Sequence, residues 1–384
     1  MILDGFVRLA DHFFPKKLEK TYLLDKKSDE LYELNEEAFN FILNCDGTKQ
    51  LSHLNPPKRF LKTLLKNSII EINRERKKRK FIIYNPPFPT LRYLEIQLTN
   101  KCNLKCLHCY QGEKKGDEIP FILLKKVLQE FIKLLGIRLI LSGGEPLLYS
   151  HFQELNNYLK GYPARVVLLT NGTLLDKFDL DGLNIDEVQI SLDGMEHGHD
   201  FIRGKGTFKK VIKNIEKLKK HSNIDISIAT MIHKENLKEF KEMKKLVKEF
   251  NIKEWGIDFP VVTGNLSLNK SIVPSYEDAI NCFKYRFGAS FHSTDEDYEY
   301  GCGTHLMTLT PDGRFLPCGF FQDRIYGRIE EGLINAIKNR RLIRLSDIGE
   351  CCNCVYLREC GGGCRYRAGG LDKKDPVMCK IFGF

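Results

Sequence analysis

Cys102-Asn-Leu-Lys-Cys106-Leu-His-Cys109 sets three cysteines at Cys-x3-Cys-x2-Cys spacing, directly after an apolar run from Leu91 to Leu98. Three thiolates this close can hold three corners of a [4Fe-4S] cube and leave the fourth iron without a protein ligand. An open iron accepts a chelating ligand that brings its own chemistry. The competing use of the same residues is a zinc knuckle, with His108 or a remote cysteine as fourth ligand. Against it, His108 directly precedes Cys109, so the two are badly placed to reach one tetrahedral ion.

A second cysteine set lies near the C-terminus. Cys302, Gly313 and Cys318 give Cys-x10-Gly-x4-Cys, Cys351, Cys354, Cys360 and Cys364 give Cys-x2-Cys-x5-Cys-x3-Cys, and Cys379 follows. Pro311-Asp312-Gly313 between apolar runs predicts a hairpin that carries Cys302 towards Cys318. Iron–sulfur clusters or a pair of zinc sites both use such short spacings. Cys352 adjoins Cys351 and reads as a spare thiol, and Cys45, at an apolar helix end, reads as a small buried hydrophobe.

Thirteen cysteines would be many for a chain in a reducing compartment, but eight of them crowd into the last 83 residues and three sit near position 100. That distribution speaks for metal and against a spread-out disulfide framework. No apolar run reaches membrane-spanning length, and Met1 to Phe14 is interrupted by Asp4, Arg8 and Asp11, unlike a signal peptide. The expected location is therefore the cytoplasm. The formal charge is +10. Anionic clusters, about −2 with four cysteines and about −1 with three, would offset part of that excess. Neither a nucleic-acid partner nor a membrane is expected.

The elements that position these residues fall into four stretches. Residues 1–72 read as a small module. Lys20–Asp25 and Glu30–Leu34 are strands about a Lys26-Lys27-Ser28-Asp29 turn, Asn35 caps a helix through Ala38, Phe39, Ile42 and Leu43, Lys58–Lys66 is a second helix, and Ser68–Ile72 is strand-like. This order suggests a winged helix. Residues 73–90 read as a linker, in which Arg74–Lys80 holds six basic residues among seven and Asn85-Pro-Pro-Phe-Pro89 follows. Solvation of that stretch is the simpler expectation, and contact with RNA or an acidic peptide the alternative.

Residues 91–265 alternate strand and helix. The strands are Leu91–Leu98, Arg138–Ser142, Arg165–Thr170, Glu187–Leu192, Ile224–Ile232 and Glu254–Val262, with amphipathic helices at Phe121–Leu135, Phe208–Lys220 and Leu237–Phe250. Such alternation gives a parallel sheet with crossover helices, and six strands predict an α/β fold shaped as a partial (β/α)6 TIM-like barrel. Chemistry then gathers at the C-terminal strand ends. Ser142-Gly143-Gly144-Glu145, Thr170-Asn171-Gly172 and Ser191-Leu192-Asp193-Gly194 all fall there. Two glycines permit close backbone approach to a ligand, and a carboxylate can meet a cationic amine.

At the cysteine triad and these strand ends the chain resembles the radical S-adenosylmethionine (SAM) enzymes, whose signature is Cys-x3-Cys-x-aromatic-Cys. The resemblance implies that Cys102, Cys106 and Cys109 hold a [4Fe-4S] cluster that chelates SAM. It places His108 at the aromatic position that touches adenine, Gly143, Gly144 and Glu145 at the SAM amino group, and Asn171, Ser191 and Asp193 at its ribose or carboxylate. Arg203 is then either a salt-bridge donor to that carboxylate or a surface arginine capping its loop. The implied chemistry is one-electron cleavage of SAM to a 5′-deoxyadenosyl radical that removes hydrogen from carbon.

Residues 266–384 resemble the SPASM extension of radical SAM enzymes. This implies two auxiliary clusters, one on Cys351, Cys354, Cys360 and Cys379 and an inner one on Cys302, Cys318 and Cys364. The inner cluster needs a further ligand. Relatives supply a cysteine shortly before the first, where this chain has Tyr298, Glu299 and Tyr300, so that the position is either taken by Cys282 or open. Leu34-Asn35-Glu36-Glu37-Ala38 with Cys45-Asp46-Gly47 resembles the recognition element of ribosomal-peptide maturases, the family of the pyrroloquinoline-quinone peptide chaperone.

Together the resemblances imply an anaerobic maturase that installs a thioether, carbon–carbon crosslink or other oxidation in a ribosomally made peptide. Its partners would be a precursor with a leader segment and a low-potential donor such as ferredoxin or flavodoxin. Cys360-Gly-Gly-Gly-Cys364-Arg-Tyr-Arg-Ala also resembles the tail of haem-biosynthesis relatives, which implies a tetrapyrrole substrate instead. A maturase of a folded partner, such as a sulfatase or metalloenzyme, and a non-catalytic regulator with a DNA-binding winged helix complete the alternatives.

Overall fold

Short apolar runs between Tyr93 and Asp258, separated by helices, build a series of parallel strands. The computed structural model describes residues 5–112, 116–288 and 299–383, so Tyr298 lies outside the described residues. Its strands are β1 (Phe6–Leu9), β2 (Phe13–Lys17), β3 (Thr21–Asp25), β4 (Glu30–Leu34), β5 (Asp46–Gln50), β6 (Ile70–Asn73), β7 (Tyr93–Gln97) and β8 (Arg138–Ser142). They continue as β9 (Arg165–Thr170), β10 (Glu187–Ser191), β11 (Asp225–Met231), β12 (Glu254–Asp258), β13 (Leu306–Leu309), β14 (Arg314–Leu316) and β15 (Gly327–Arg328).

The six expected parallel strands pair in chain order, within a sheet of nine whose order is β12-β11-β10-β9-β8-β7-β13-β14-β15. The last three come from the C-terminal stretch. The Pro311-Asp312-Gly313 turn joins β13 and β14 as an antiparallel hairpin, and β13 lies parallel to β7, with Glu95 opposite Thr308. The C-terminal extension therefore continues the sheet of the partial barrel.

Strand alternation separates two faces. On β7, Leu94 and Ile96 are fully buried in the main core, while Glu95 and Gln97 point inward to the concave side. The helix Phe121–Lys133 covers the outer face with Leu124, Val127, Leu128 and Phe131, all fully buried. Each such side chain contributes about 1.5–3 kcal/mol. Leu135 departs from the expected stripe. It leaves the helix with φ +59° and packs with Leu18, Tyr22 and Leu24 of the N-terminal module.

That module has more strands than its sequence suggests. It contains two three-stranded sheets, β5-β1-β6 and β2-β3-β4. Asn35 caps the helix Glu36–Asn44 by accepting the Ala38 N–H at 2.8 Å, and Lys58–Lys66 is helical as expected. The basic stretch is only partly solvated. Arg74–Lys78 are exposed, whereas the Lys77 and Arg79 N–H groups donate to Gly47 and Asp46 along the outer edge of β5. The Arg79 guanidinium donates to the carbonyls of Leu9, Ala10 and Phe13. These carbonyl acceptors explain why this one cation is drawn inward.

The module sits on the N-terminal ends of the barrel strands. Lys16 is buried and donates to Gly136 and Pro163 carbonyls, each at 2.7 Å. Asp29, in the β3–β4 turn, pairs with Arg138, and Arg165 reaches the Lys26 carbonyl at 2.8 Å. Among the described residues no helix is long and apolar enough to cross a membrane.

Candidate functional site

At the opposite, C-terminal ends of the same strands lies a cavity of about 380 Å³. Cys102, Cys106 and Cys109 line one side and Cys318 another. The triad sits on the loop after β7, and Cys318 enters because β13 and β14 extend the sheet past β7. Residues 209 or more apart in sequence thus share one chamber, which no local pattern could reveal.

Six of the eight residues expected at a SAM-like ligand line this cavity: His108, Gly143, Gly144, Asn171, Ser191 and Arg203. The glycines lie against the triad loop. A Cβ on Gly143 would stand 2.3 Å from the Thr99 carbonyl oxygen, and one on Gly144 2.3 Å from that of Lys101. Side chains are thereby excluded, and the backbone itself forms the wall. Asn171 is oriented by three contacts: its amide donates to Asn103 Oδ1 at 2.9 Å, and its Oδ1 accepts from the Thr173 N–H and hydroxyl.

Glu145 and Asp193, the other two, do not line the cavity. Both are fully buried behind the cavity wall. The Glu145 carboxylate accepts from the Thr170 hydroxyl at 2.7 Å and the Asn171 N–H at 2.9 Å, tying the second strand-end loop to the third. Burial pushes it up to about 7 against those hydrogen bonds. Asp193 accepts from Arg203 Nε at 2.6 Å and the Met231 N–H at 2.8 Å. Burial disfavours its charge, yet Arg203 holds the carboxyl far below the usual range. Arg203 is therefore a partly buried partner of Asp193 at the cavity wall, not a surface arginine. His108 Nε2 lies 3.4 Å from Arg203 Nη2, and burial pushes the imidazole down to about 4, so it is neutral.

Three lining residues belong to no motif. Glu95 is the one carboxylate among the lining side chains. Ser142 and Thr308, from the strands on either side, donate to its two oxygens at 2.6 and 2.8 Å. Tyr110 receives a hydrogen bond from Gln97 at 2.9 Å, and burial together with Glu95 pushes its phenol well above the ordinary value. Gln111 leaves Oε1 buried without a partner, as His108 leaves Nδ1. Period-two alternation places Glu95 and Gln97 on the inner face, and that is the signal that could have found them.

No three His, Cys, Asp or Glu side chains among the described residues converge tightly enough to hold a single metal ion. The C-terminal cysteines nevertheless divide into two electrostatic groups. Burial raises the Cys302 and Cys318 thiols, Cys318 to about 12, and the next contributions are Cys364 on Cys302 and Cys302 on Cys318. Cys351 is raised by burial with Cys379 and Cys354 adding to it, and Cys360 by burial with Cys351 and Cys379 adding. Cys282 belongs to neither group. It is buried in the main core, and the charges acting on it are Lys284 and Asp278. Cys352 is exposed and Cys45 fully buried, as their sequence positions suggested.

Comparison with known proteins gives the class. Residues 96–247 match the model of the Radical SAM superfamily, a span that contains the triad and all eight expected ligand residues. An AdoMet-dependent heme synthase of Methanosarcina barkeri (strain Fusaro / DSM 804) is 30% identical, over 72% of this chain and 92% of its own. The antilisterial bacteriocin subtilosin biosynthesis protein AlbA of Bacillus subtilis (strain 168) is 24% identical, over 90% of this chain and 88% of its own. Streptococcus suis SuiB bound to S-adenosylmethionine superposes with a TM-score of 0.71 at 16% identity, covering 97% of this chain and all of that one. SuiB bound to its precursor peptide SuiA gives 0.69 at 15%, with the same coverage. The chain belongs to the radical SAM superfamily and is an enzyme. Membership implies a [4Fe-4S] cluster and SAM. A cavity lined by three cysteines, with a wall that admits only glycine and unpartnered atoms on His108 and Gln111, fits that pair.

Proposed function

We propose that this enzyme modifies a ribosomally synthesised peptide, forming a thioether, a carbon–carbon crosslink or another oxidation. The observation that carries the reading is the shared chamber: Cys318 and the SAM-site cysteines face one cavity, and Glu95, on the strand that leads to the triad, lines it as well. Such a site can take a hydrogen atom on one side and an electron on the other.

Cys102, Cys106 and Cys109 would hold the cluster that chelates SAM, and the pair would supply the radical chemistry that removes hydrogen from a carbon. Gly143 and Gly144 present backbone to the methionyl part, Asn171 and Ser191 orient the remainder, and His108 packs as a neutral ring. Asp193 holds Arg203 in place, and Glu145 keeps two strand-end loops in register. Cys302, Cys318 and Cys364 would hold the inner auxiliary cluster, and Cys282, buried in the main core, is set apart from them. Cys351, Cys354, Cys360 and Cys379 hold the outer one. Glu95 accepts the proton that the second reacting group gives up.

Residues 1–72 serve as a winged-helix-like recognition module. The outer edge of β4 pairs with no strand among the described residues, and an extended leader adds there by strand pairing. A low-potential donor such as ferredoxin or flavodoxin supplies electrons. Relatives spanning nine-tenths or more of the chain, AlbA and SuiB, carry peptide substrates or products in their names, which supports this reading. The 30% identity to a heme synthase supports a second one, a tetrapyrrole substrate in the same cavity. Co-expression with candidate precursors followed by mass spectrometry tests the first, and turnover of porphyrin substrates the second.

A further inference from the structure

A second cavity, of about 750 Å³, opens on the C-terminal extension, lined by residues 323–326 and 341–343 with Asn339 and Leu371. Its walls are pinned together. The Tyr326 hydroxyl donates to the Arg341 carbonyl at 3.3 Å, and Asn339 Nδ2 donates to the Tyr326 carbonyl at 3.0 Å. Hydrogen bonds also tie these walls to segments that carry cysteines. The Gly301 N–H, next to Cys302, donates to the Ile343 carbonyl at 2.9 Å. The Phe321 N–H donates to the Cys318 carbonyl and the Arg324 N–H to the Phe321 carbonyl, each at 3.2 Å. Arg365, which follows Cys364, donates Nη1 to the Leu371 carbonyl at 3.4 Å. Cys318, Gly319 and Phe320 line the SAM chamber, and residues 323–326 line this cavity, so one short stretch runs from chamber to surface.

The lining combines exposed apolar surface with free positive charge. Ile325 is half exposed and Leu371 more than a third exposed. Arg341 is exposed, and the Arg324 guanidinium lies 4.5 Å over the Phe321 ring. Among the described residues neither arginine forms an ion pair, whereas Arg314 and Arg344 meet Asp312 and Glu299 at 2.7 Å. Asp323 is the one acid in the lining. The segment Lys338-Asn-Arg340-Arg341-Leu-Ile-Arg344 adds cations without an acid, though Arg340 is committed to the Thr304 and Pro89 carbonyls. Exposed apolar side chains flanked by unpaired cations suit an anionic protein surface. Phosphate backbones would use the cations but not the isoleucine and leucine, so a protein is the better match.

We propose that this cavity docks an acidic one-electron carrier protein, and that electrons cross here to the segments of Cys302, Cys318 and Cys364. This rests on the two-cluster reading above, in which those three cysteines hold the inner cluster. The carrier is oxidised by one electron and the inner centre reduced by one, with no bond made or broken. Arg324 and Arg341 steer the encounter, and Ile325 and Leu371 supply the dry contact. Neither arginine lines the SAM chamber, so docking and chemistry are separable by substitution.

The test is anaerobic binding of a flavodoxin to reconstituted holoenzyme, read by fluorescence anisotropy, with iron counted per chain. Changing Arg324→Glu and Arg341→Glu together is expected to weaken binding roughly tenfold at low salt and to flatten its salt dependence. Deoxyadenosine release driven by dithionite should match wild type, because a small reductant needs no docking face. Unchanged affinity and salt slope at full iron content would overturn the docking face while leaving the clusters standing. Loss of the dithionite-driven reaction along with affinity would also overturn it, by showing damage to the chamber. Should the double variant fail to fold, Arg341→Glu alone decides, with roughly threefold weaker binding expected and none contradicting the proposal. Wild type that binds a single-stranded RNA oligonucleotide through these arginines, and no flavodoxin, would assign the face to nucleic acid instead. Iron near one cluster per wild-type chain would overturn the two-cluster reading, and with it the electron's destination, whatever the flavodoxin affinity.

Discussion

Arg165 donates to the Lys26 carbonyl at 2.8 Å, so the first residue of a barrel strand closes the turn of the N-terminal hairpin. The last residue of the same strand, Thr170, donates to Glu145 behind the cavity. One strand therefore joins the proposed recognition module to the catalytic chamber. Deleting residues 1–72 would strip Lys26 and Asp29 from Arg165 and Arg138 and expose Leu135 and Ile137. We expect the truncated enzyme to lose stability as well as peptide, so truncation is a poor probe of recognition.

A point substitution separates the two. Arg165→Met leaves Glu187 and Asp225 without their buried cation. It is expected to cost about 3–5 kcal/mol in urea denaturation. A loss within about 0.5 kcal/mol would show that the network at the strand origins does not hold the module.

Leader recognition is tested on the peptide. A proline in the middle of the leader removes one strand hydrogen bond, about 1 kcal/mol, and should weaken binding roughly fivefold. Affinity should fall only modestly with salt, since Arg74–Lys78 lie outside the β4 edge. Equal affinity of the proline variant, by fluorescence anisotropy, would argue against strand addition.

Glu145 sets a pH dependence. Its folded value of about 7 lies above the unfolded carboxylate range, so the native state binds more protons between roughly 4.5 and 7. Its contribution is fully present below that window and is lost as pH rises through 7. The neutral His108 and His199, both pushed by burial to about 4, act with the opposite sign below 6.5. The difference between wild type and Glu145→Gln isolates the carboxyl. Wild type should lose on the order of 3 kcal/mol relative to the variant across the window. Parallel melting-temperature curves would contradict this.

Glu95→Gln keeps the shape of the carboxylate and removes its basicity. Deoxyadenosine formation with precursor present should persist, while modified peptide falls at least about 100-fold. Precursor affinity should be unchanged. Product and deoxyadenosine falling together would assign Glu95 to positioning SAM.

Much of this was legible before any coordinates. The parallel strands announce themselves by apolar runs between amphipathic helices, and the cysteine triad by its spacing. The strand-end loops follow from where those runs stop. What stayed hidden is what depends on distant pairing. Cys318 reaches the triad only because β13 lies beside β7, and Glu95 is held by Ser142 and Thr308 from separate strands. Glu145 and Asp193 have the residue type for a ligand amine or ribose, yet buried partners within the fold claim both. Strands β1, β2 and β5 are short and lack clean alternation, and β5, Asp46-Gly47-Thr48-Lys49-Gln50, has no apolar residue at all. Tertiary pairing overrode propensity there.

Anaerobic incubation of holoenzyme with SAM, dithionite and its candidate precursor peptides, read by mass spectrometry, tests peptide modification most directly. The expected result is a precursor lighter by two hydrogens, formed with deoxyadenosine and lost when Cys102, Cys106 and Cys109 are changed to alanine. Deoxyadenosine released with every precursor left at its starting mass, while a porphyrin substrate is converted, would contradict it.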